Sequence, residues 1–160
     1  MKAMLPTLAL LLLPTPCGAQ EDMEAAADRF SLFTRCSSVQ LAVATLPDDA
    51  TDTGLTRDGI QRTARSRLRA ARIYHGDEVA LGVPRLYIQV HVVGVAFSVR
   101  VVLSKAVYDP FSNLTLTGAT WSRGSVGTHG GNAGYVRQVL SELMDLFIDE
   151  YLRVNAESCQ

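Results

Sequence analysis

Lysine is nearly absent from this chain: Lys2 and Lys105 stand against thirteen arginines in 160 residues. The imbalance points to a compositional bias toward arginine, which weakens any argument that a given arginine was chosen for its fork geometry. Charge is sparse, at 19% of residues, and 48% of the chain is apolar. Disorder maintained by charge and polarity is thereby excluded. The longest apolar run, Ala3 to Leu13, falls well short of the roughly twenty residues that a bilayer-spanning helix needs. Histidine is confined to His75, His91 and His129, none spaced with another histidine or a cysteine as metal ligands are, so no metal site is expected. Also missing are a Cys-x-x-Cys pair, a Gly-x-Ser-x-Gly elbow, a P-loop and a Gly-x-Gly-x-x-Gly run. No catalytic residue and no cofactor is expected on that basis. There is no internal repeat.

What is present begins with an address. Lys2 supplies a positive start, Ala3 to Leu13 a leucine-rich run, and Cys17-Gly18-Ala19 a small-residue site after Pro14 and Pro16. This is the architecture of a cleaved secretory signal over residues 1–19. Two alternatives fit less well: a membrane anchor, for which the run is short, and a lipid anchor on Cys17, where Pro14-Thr15-Pro16 replaces the Leu-small-small of a bacterial lipoprotein signal. After cleavage fourteen basic and sixteen acidic residues remain, so no global field recruits polyanions. Two cysteines also remain, Cys36 and Cys159, and export would place them in an oxidising compartment. A disulfide between them is expected; two free thiols or a redox pair are the alternatives.

Hydrophobic patterning predicts one α+β domain over residues 36–160, preceded by a weakly ordered lead over residues 20–35. Val39 to Thr45 reads as a strand and Pro47 to Gly54 as loop. Thr56 caps a first helix, whose Ile60, Ala64, Leu68 and Ala71 form one apolar stripe ending before Gly76. Leu86 to Val93 and Val95 to Val107 alternate with period two around Gly94, suited to the first central position of a type II′ turn. That turn pairs Val92 with Phe97, Val90 with Val99 and Ile88 with Val101, leaving Tyr87, Gln89, His91, Ser98 and Arg100 on a solvated side. A threonine-rich strand from Leu114 to Ser122 follows, then a glycine-rich loop, then a long helix from about Ala133 to Val154. On this helix Val136, Val139, Leu140, Leu143, Phe147, Ile148 and Tyr151 make the apolar face, and Asp149 is positioned to pair with Arg153. The expected architecture is a two-layer sandwich, a four-stranded mixed sheet in the order βαβββα with both helices on one face.

With Gly54-Leu55-Thr56, Arg67-Leu68-Arg69, Trp121-Ser122 and Phe147 to Asn155 (FIDEYLRVN) at these places, the chain resembles a family of small exported bacterial proteins. The element order is also similar to small α/β domains of curli-secretion lipoproteins, penicillin-binding-protein activators and the Tol-system propeller protein. What that resemblance implies is a partner-binding module of the envelope; it supplies no mechanism, since fold does not fix function.

Four groups of residues invite a function. Arg62, Arg65, Arg69 and Arg72 follow i, i+3, i+7, i+10 and would share one helix face, suited to an acidic protein or an anionic envelope component; the alternative is a solvated face. Gln89, His91 and Arg100 form a second surface on the polar side of the sheet. Gly127, Gly130 and Gly131 precede a helix N-terminus and offer backbone N–H groups to an anion, unless the stretch is simply a surface loop. His129, with Ser125 and Thr128 nearby, suggests a small hydrolase or transferase, but no acid lies between Trp121 and Tyr135 to orient it. The acids Glu142, Asp145 and Asp149 read as the wet face of the last helix, and Trp121 as a core residue before a sugar platform. Asn113-Leu114-Thr115 matches a glycosylation acceptor, relevant only to a eukaryotic source. The sequence reading is therefore an exported, non-catalytic interaction domain of the cell envelope, periplasmic or secreted, without nucleic acid as partner. The rivals are the hydrolase built on His129 and a purely structural envelope protein.

Overall fold

The computed structural model describes residues 18–159, so nearly all of the leader read over residues 1–19 lies outside the described residues. The elements are α1 (Gly18–Leu32), β1 (Val39–Val43), α2 (Asp48–Asp52), α3 (Arg57–Ala70), β2 (Tyr74–Gly76), β3 (Arg85–Val93), β4 (Ala96–Asp109), β5 (Leu114–Thr128) and α4 (Ala133–Asn155), followed by a 3-10 turn at Ala156–Ser158. The strands form one sheet in the order β2-β1-β3-β4-β5. Strand β1 runs parallel to both β2 and β3, and β3, β4 and β5 are an antiparallel meander. This is an α+β fold with a mixed sheet, but with five strands and four helices among the described residues instead of the expected four and two.

Each added element has an identifiable cause. Strand β2 is three residues long, too short to carry a period, and pairs with β1 through Tyr74 opposite Val39. Helix α2 lies inside the stretch read as loop; its first turn carries Asp48 and Asp49, favourable at a helix N-terminus, and its Ala50 is fully buried. Helix α1 occupies most of the stretch read as a weakly ordered lead. Its last residue, Leu32, is fully buried, and Thr120 Oγ1 donates to Ser31 O at 2.7 Å. That anchorage comes from residues about ninety to one hundred and twenty positions away and leaves no local trace.

Helix α3 begins as expected, with Thr56 Oγ1 accepting Gly59 N–H at 3.0 Å and Ile60, Ala64 and Leu68 buried. It ends earlier than Gly76 suggested. Arg72 takes the left-handed conformation at φ +60°, Ile73 N–H reaches Leu68 O and Arg72 N–H reaches Arg69 O, both at 3.0 Å. These two bonds are a Schellman closure in which an arginine occupies the place usually given to glycine.

The β3–β4 pairing follows the expected register, with Val92 opposite Phe97, Val90 opposite Val99 and Ile88 opposite Val101. Gly94 turns at φ +57°, while Val95 is not among the positive-φ residues, the combination a type II′ turn requires. Along this register Leu86, Ile88, Val90, Val92, Phe97, Val99, Val101 and Leu103 are all buried against the helices. From α4 they meet Val136, Leu140, Leu143, Met144, Phe147 and Tyr151 in one core. Trp121 joins it, its ring 5.2 Å from Phe147 and its Nε1–H donated to Glu150 Oε2 at 2.7 Å.

Strand β5 runs to Thr128 and absorbs the first part of the stretch read as a glycine loop. Its glycines are there for close packing: a Cβ on Gly127 would stand 3.1 Å from the Phe97 ring, and one on Gly124 would stand 3.1 Å from Val99 O. The chain between β2 and β3 must cross β1, and it does so on the side away from the helices. Gln40, on β1 between core residues Val39 and Leu41, is 1% exposed because its Nε2 donates to Ala80 O of that crossing segment at 2.7 Å.

The C-terminal end of α4 is tied to the α1–β1 linker. Asn155 is fully buried; its Oδ1 accepts Thr34 N–H at 2.9 Å and Cys36 N–H at 3.1 Å, and its Nδ2 donates to Leu32 O at 3.0 Å and Tyr151 O at 2.8 Å. All four of its bonding directions are filled. Beside it the Tyr151 hydroxyl donates to Ser37 O and meets Thr34 Oγ1. The disulfide expected between Cys36 and Cys159 is formed, joining residues 123 apart.

Candidate functional site

The arginine stripe of α3 is partly engaged within the chain. Arg65 pairs with Asp77, and the guanidinium groups of Arg65 and Arg69 stand 5.9 and 5.0 Å from the Tyr74 ring centroid. Burial, with the neighbouring Asp77, pushes the Tyr74 hydroxyl above its ordinary range. Arg62 is exposed and shares a shallow hollow with Asp58, Gln61 and Arg65. Arg72 lies beyond the helix, at its left-handed closure, and not on the helical face itself. Arg67, off the stripe, bridges to Asp145 of α4. Arg153 pairs with Asp28 of α1 at 2.6 Å, where the sequence suggested Asp149, because α1 lies against this end of α4. That carboxylate raises the Arg153 pKa, first through its hydrogen bond and then through its charge.

The side of the sheet away from the helices is different. Gln89 lies directly opposite Arg100, and His91 opposite Ser98, which in turn faces Val126 of β5. The three sequence-selected residues Gln89, His91 and Arg100 are thus neighbours on one face. His91 and Arg100 are exposed, Gln89 and Ser98 half-buried, and Arg100 Nη2 donates to Ser122 Oγ at 3.2 Å. At the hairpin end this face becomes apolar. Val93 is 74% and Val126 81% exposed, and they line a hollow of about 490 Å3 together with His91, Phe97, Ser98 and Thr128. Sequence reasoning missed this part: Val93 reads as the end of a strand, and Val126 sat in what looked like loop. Once β5 is carried to Thr128, alternation alone puts Val126 beside Ser98 and His91.

The glycine turn and His129 form a tie, not a cleft. His129 is 5% exposed. Its Nδ1 accepts Gly131 N–H at 3.0 Å, which leaves Nε2 to carry the proton and donate to Gly94 O at 2.9 Å. Its backbone N–H also reaches Val95 O at 2.9 Å. The residue therefore fastens the β3–β4 turn to the approach of α4. Ser125 and Thr128 lie on β5 opposite Val99 and Ala96, an odd number of positions apart and hence on opposite faces. Of the three glycines read as an anion loop, Gly127 belongs to β5, Gly131 has given its N–H to His129, and Gly130 turns at φ +53°. Among the described residues no three of His, Cys, Asp and Glu converge on one point, and no helix is long and apolar enough to cross a membrane.

No protein-family model and no curated protein matches the sequence. Among solved structures the chain is similar to a minor lipoprotein from Acinetobacter baumannii, at 10% identity and a TM-score of 0.34, covering 76% of this chain and 92% of that one. A protein from Caulobacter crescentus CB15 overlaps at 10% identity and a TM-score of 0.30, over 84% of this chain and 96% of its own. An uncharacterised protein does so at 11% identity and a TM-score of 0.31, over 80% and 95%. Overlap this slight defines no residue correspondence, so nothing known of those proteins transfers to this chain.

Proposed function

We propose that this chain is an exported, non-catalytic binding domain of the cell envelope, which engages a protein or anionic partner through the open face of its sheet. The observation that carries the reading is the row His91, Ser98 and Val126. It sets an exposed imidazole beside a hollow of about 490 Å3 flanked by two largely exposed valines, on a sheet whose opposite face carries the core. Exposed apolar surface rimmed by polar groups is the usual mark of a contact surface. Export rests on the leader read over residues 1–19, and the Cys36–Cys159 disulfide is in keeping with an oxidising compartment. The arginines of α3 are the secondary surface, since Arg65 and Arg69 are occupied by Asp77 and Tyr74. No observation favours the hydrolase, because both ring nitrogens of His129 are committed.

The test is in-cell crosslinking of the native exported protein followed by affinity purification and mass spectrometry. It runs beside two variants whose folding is verified by circular dichroism, Val93→Asp with Val126→Asp on the sheet, and Arg62→Ser with Arg69→Ser on α3. The expected result is a specific partner with the native chain, kept by the arginine variant and lost by the sheet variant. Loss only with the arginine variant would move the interface to α3. A native chain that captures nothing specific would remove the binding reading.

A further inference from the structure

Strand β3 begins at Arg85, opposite Ser104, whereas β4 continues to Asp109. Past Ser104 the lane that β3 would fill is open, and the 33–37 linker and the segment ending at Pro84 close around it. The notch so formed is a hollow of about 680 Å3, and its lining holds two cations, Arg35 and Lys105, two hydroxyl residues, Thr34 and Ser37, and no acid. A smaller hollow of about 170 Å3 shares Gly82, Lys105 and Ala106 with it and adds Arg85, again without an acid.

Lys105 is half-buried there, its Nζ donating to Phe33 O at 2.9 Å and standing 5.8 Å from the Phe30 ring centroid. The four ion pairs among the described residues all belong to arginines, and none involves Lys105 or Arg35. A cation removed from water without a counter-charge is unfavourable, and burial accordingly pushes this amine below its ordinary pKa. Two of the three ammonium protons remain for another acceptor. Arg35 is held at φ +57° and Cys36 at +56°, a run of left-handed residues fixed by the disulfide and by Asn155. The guanidinium therefore projects from an immobilised backbone.

We infer that this notch binds a small oxyanion, a carboxylate or phosphate group, with Lys105 as the inner cation and Arg35 as the outer one. The anion supplies a counter-charge that no ion pair among the described residues provides, by hydrogen bonds of the charge-assisted kind. The site is at the opposite end of β3 from the hollow beside His91, and it stands or falls independently of the sheet-face reading.

Lysine scarcity makes the experiment direct. In protein labelled with carbon-13 only at lysine, Lys105 is the one signal of the folded domain. The full exported chain is titrated with sodium acetate and, separately, inorganic phosphate, against sodium chloride at matched ionic strength. The expected result is a saturable shift of the Lys105 ε-carbon and an upward move of its titration midpoint with at least one oxyanion. Arg35→Ser should weaken that saturation about tenfold, the loss of one charge-assisted hydrogen bond. A response to acetate alone assigns the site to carboxylates, and one to phosphate alone to phosphates. A linear drift indistinguishable from chloride overturns the inference, as does a saturable shift that Arg35→Ser leaves unchanged. Since the reporter is the native side chain, no outcome depends on a Lys105 variant folding.

Discussion

The carboxamide of Asn155 holds the backbone of Cys36 at 3.1 Å, and Cys36 is in turn bonded to Cys159, four residues beyond Asn155. The α1–β1 linker is thus clasped to the segment at the end of α4 twice, by a buried amide and by a covalent bond. Asn155→Ala removes from a fully buried position the acceptor of two N–H groups and the donor to two C=O groups, and is expected to cost about 3 kcal/mol. Closing a separation of 123 residues, the disulfide contributes on the order of 4 to 5 kcal/mol in the chain-entropy account. Because both act on one turn, Asn155→Ala combined with Cys36→Ser and Cys159→Ser should depart from additivity by more than about 0.5 kcal/mol. Urea denaturation of the four proteins in this cycle measures it.

Tyr151 gives the same clasp a dependence on pH. Burial raises the pKa of its hydroxyl above 10.0, against a smaller lowering by Thr34. The folded state therefore keeps a proton that the unfolded state releases, so its contribution is intact below pH 10 and is lost as pH climbs toward the folded value. Tyr151→Phe should lower stability by about 1 to 2 kcal/mol at neutral pH, through the unpaired Ser37 carbonyl, and should flatten the alkaline decline. Denaturation midpoints of both proteins from pH 7 to 11.5 give the two slopes.

How far these features can be read from sequence depends on the range of the interaction behind them. The β3–β4 register is legible because Gly94 and the alternation from Leu86 to Leu103 are local and agree. Helix α3 is legible at its start, where Thr56 meets Gly59 three residues on. Helix α1 is not, since Thr120 and Asn155 hold it from about ninety and one hundred and twenty residues away. The glycines of β5 misled for a physical reason: they look like a loop but serve the Phe97 ring and the Val99 carbonyl. Asn155 stood in view at the end of the FIDEYLRVN run. An asparagine one turn beyond Tyr151, on the face of an apolar stripe, was the available signal that a buried polar clasp would sit there. The surface candidates divide along the same line. Gln89, His91 and Arg100 gather on one face because strand alternation fixes them, whereas the partners of Arg65 and Arg153 were decided by tertiary packing.

Arg72 carries a backbone conformation that glycine adopts without the Cβ penalty. At φ +60° an L side chain is strained by about 1 kcal/mol, and glycine returns part of that gain by its greater freedom in the unfolded chain. Arg72→Gly is therefore expected to stabilise the fold by about 0.5 kcal/mol, a rise in Tm of roughly 1 to 2 °C for a domain of this size. Calorimetry decides it, and an unchanged or lower Tm would mean that the Arg72 side chain makes a stabilising contact outweighing the strain.

His129 tests the choice between a tie and a catalyst. With Nδ1 accepting Gly131 N–H and Nε2–H given to Gly94 O, the ring joins the β3–β4 turn to the approach of α4 and has no free nitrogen to serve as a base. Nitrogen-15 spectra should show the neutral tautomer protonated at Nε2, and His129→Ala should lose about 1 to 3 kcal/mol. Hydrogen exchange at the Gly131 and His129 amides should accelerate in that variant, since the first loses its acceptor and the second depends on the turn that the ring secures. The hollow beside His91 begins at this same turn, with Val93 and Phe97 on either side of it. A loosened turn would thus blunt partner capture without any contact between His129 and the partner. A catalytic histidine would behave in the opposite way: its replacement would leave stability and exchange nearly untouched while abolishing turnover.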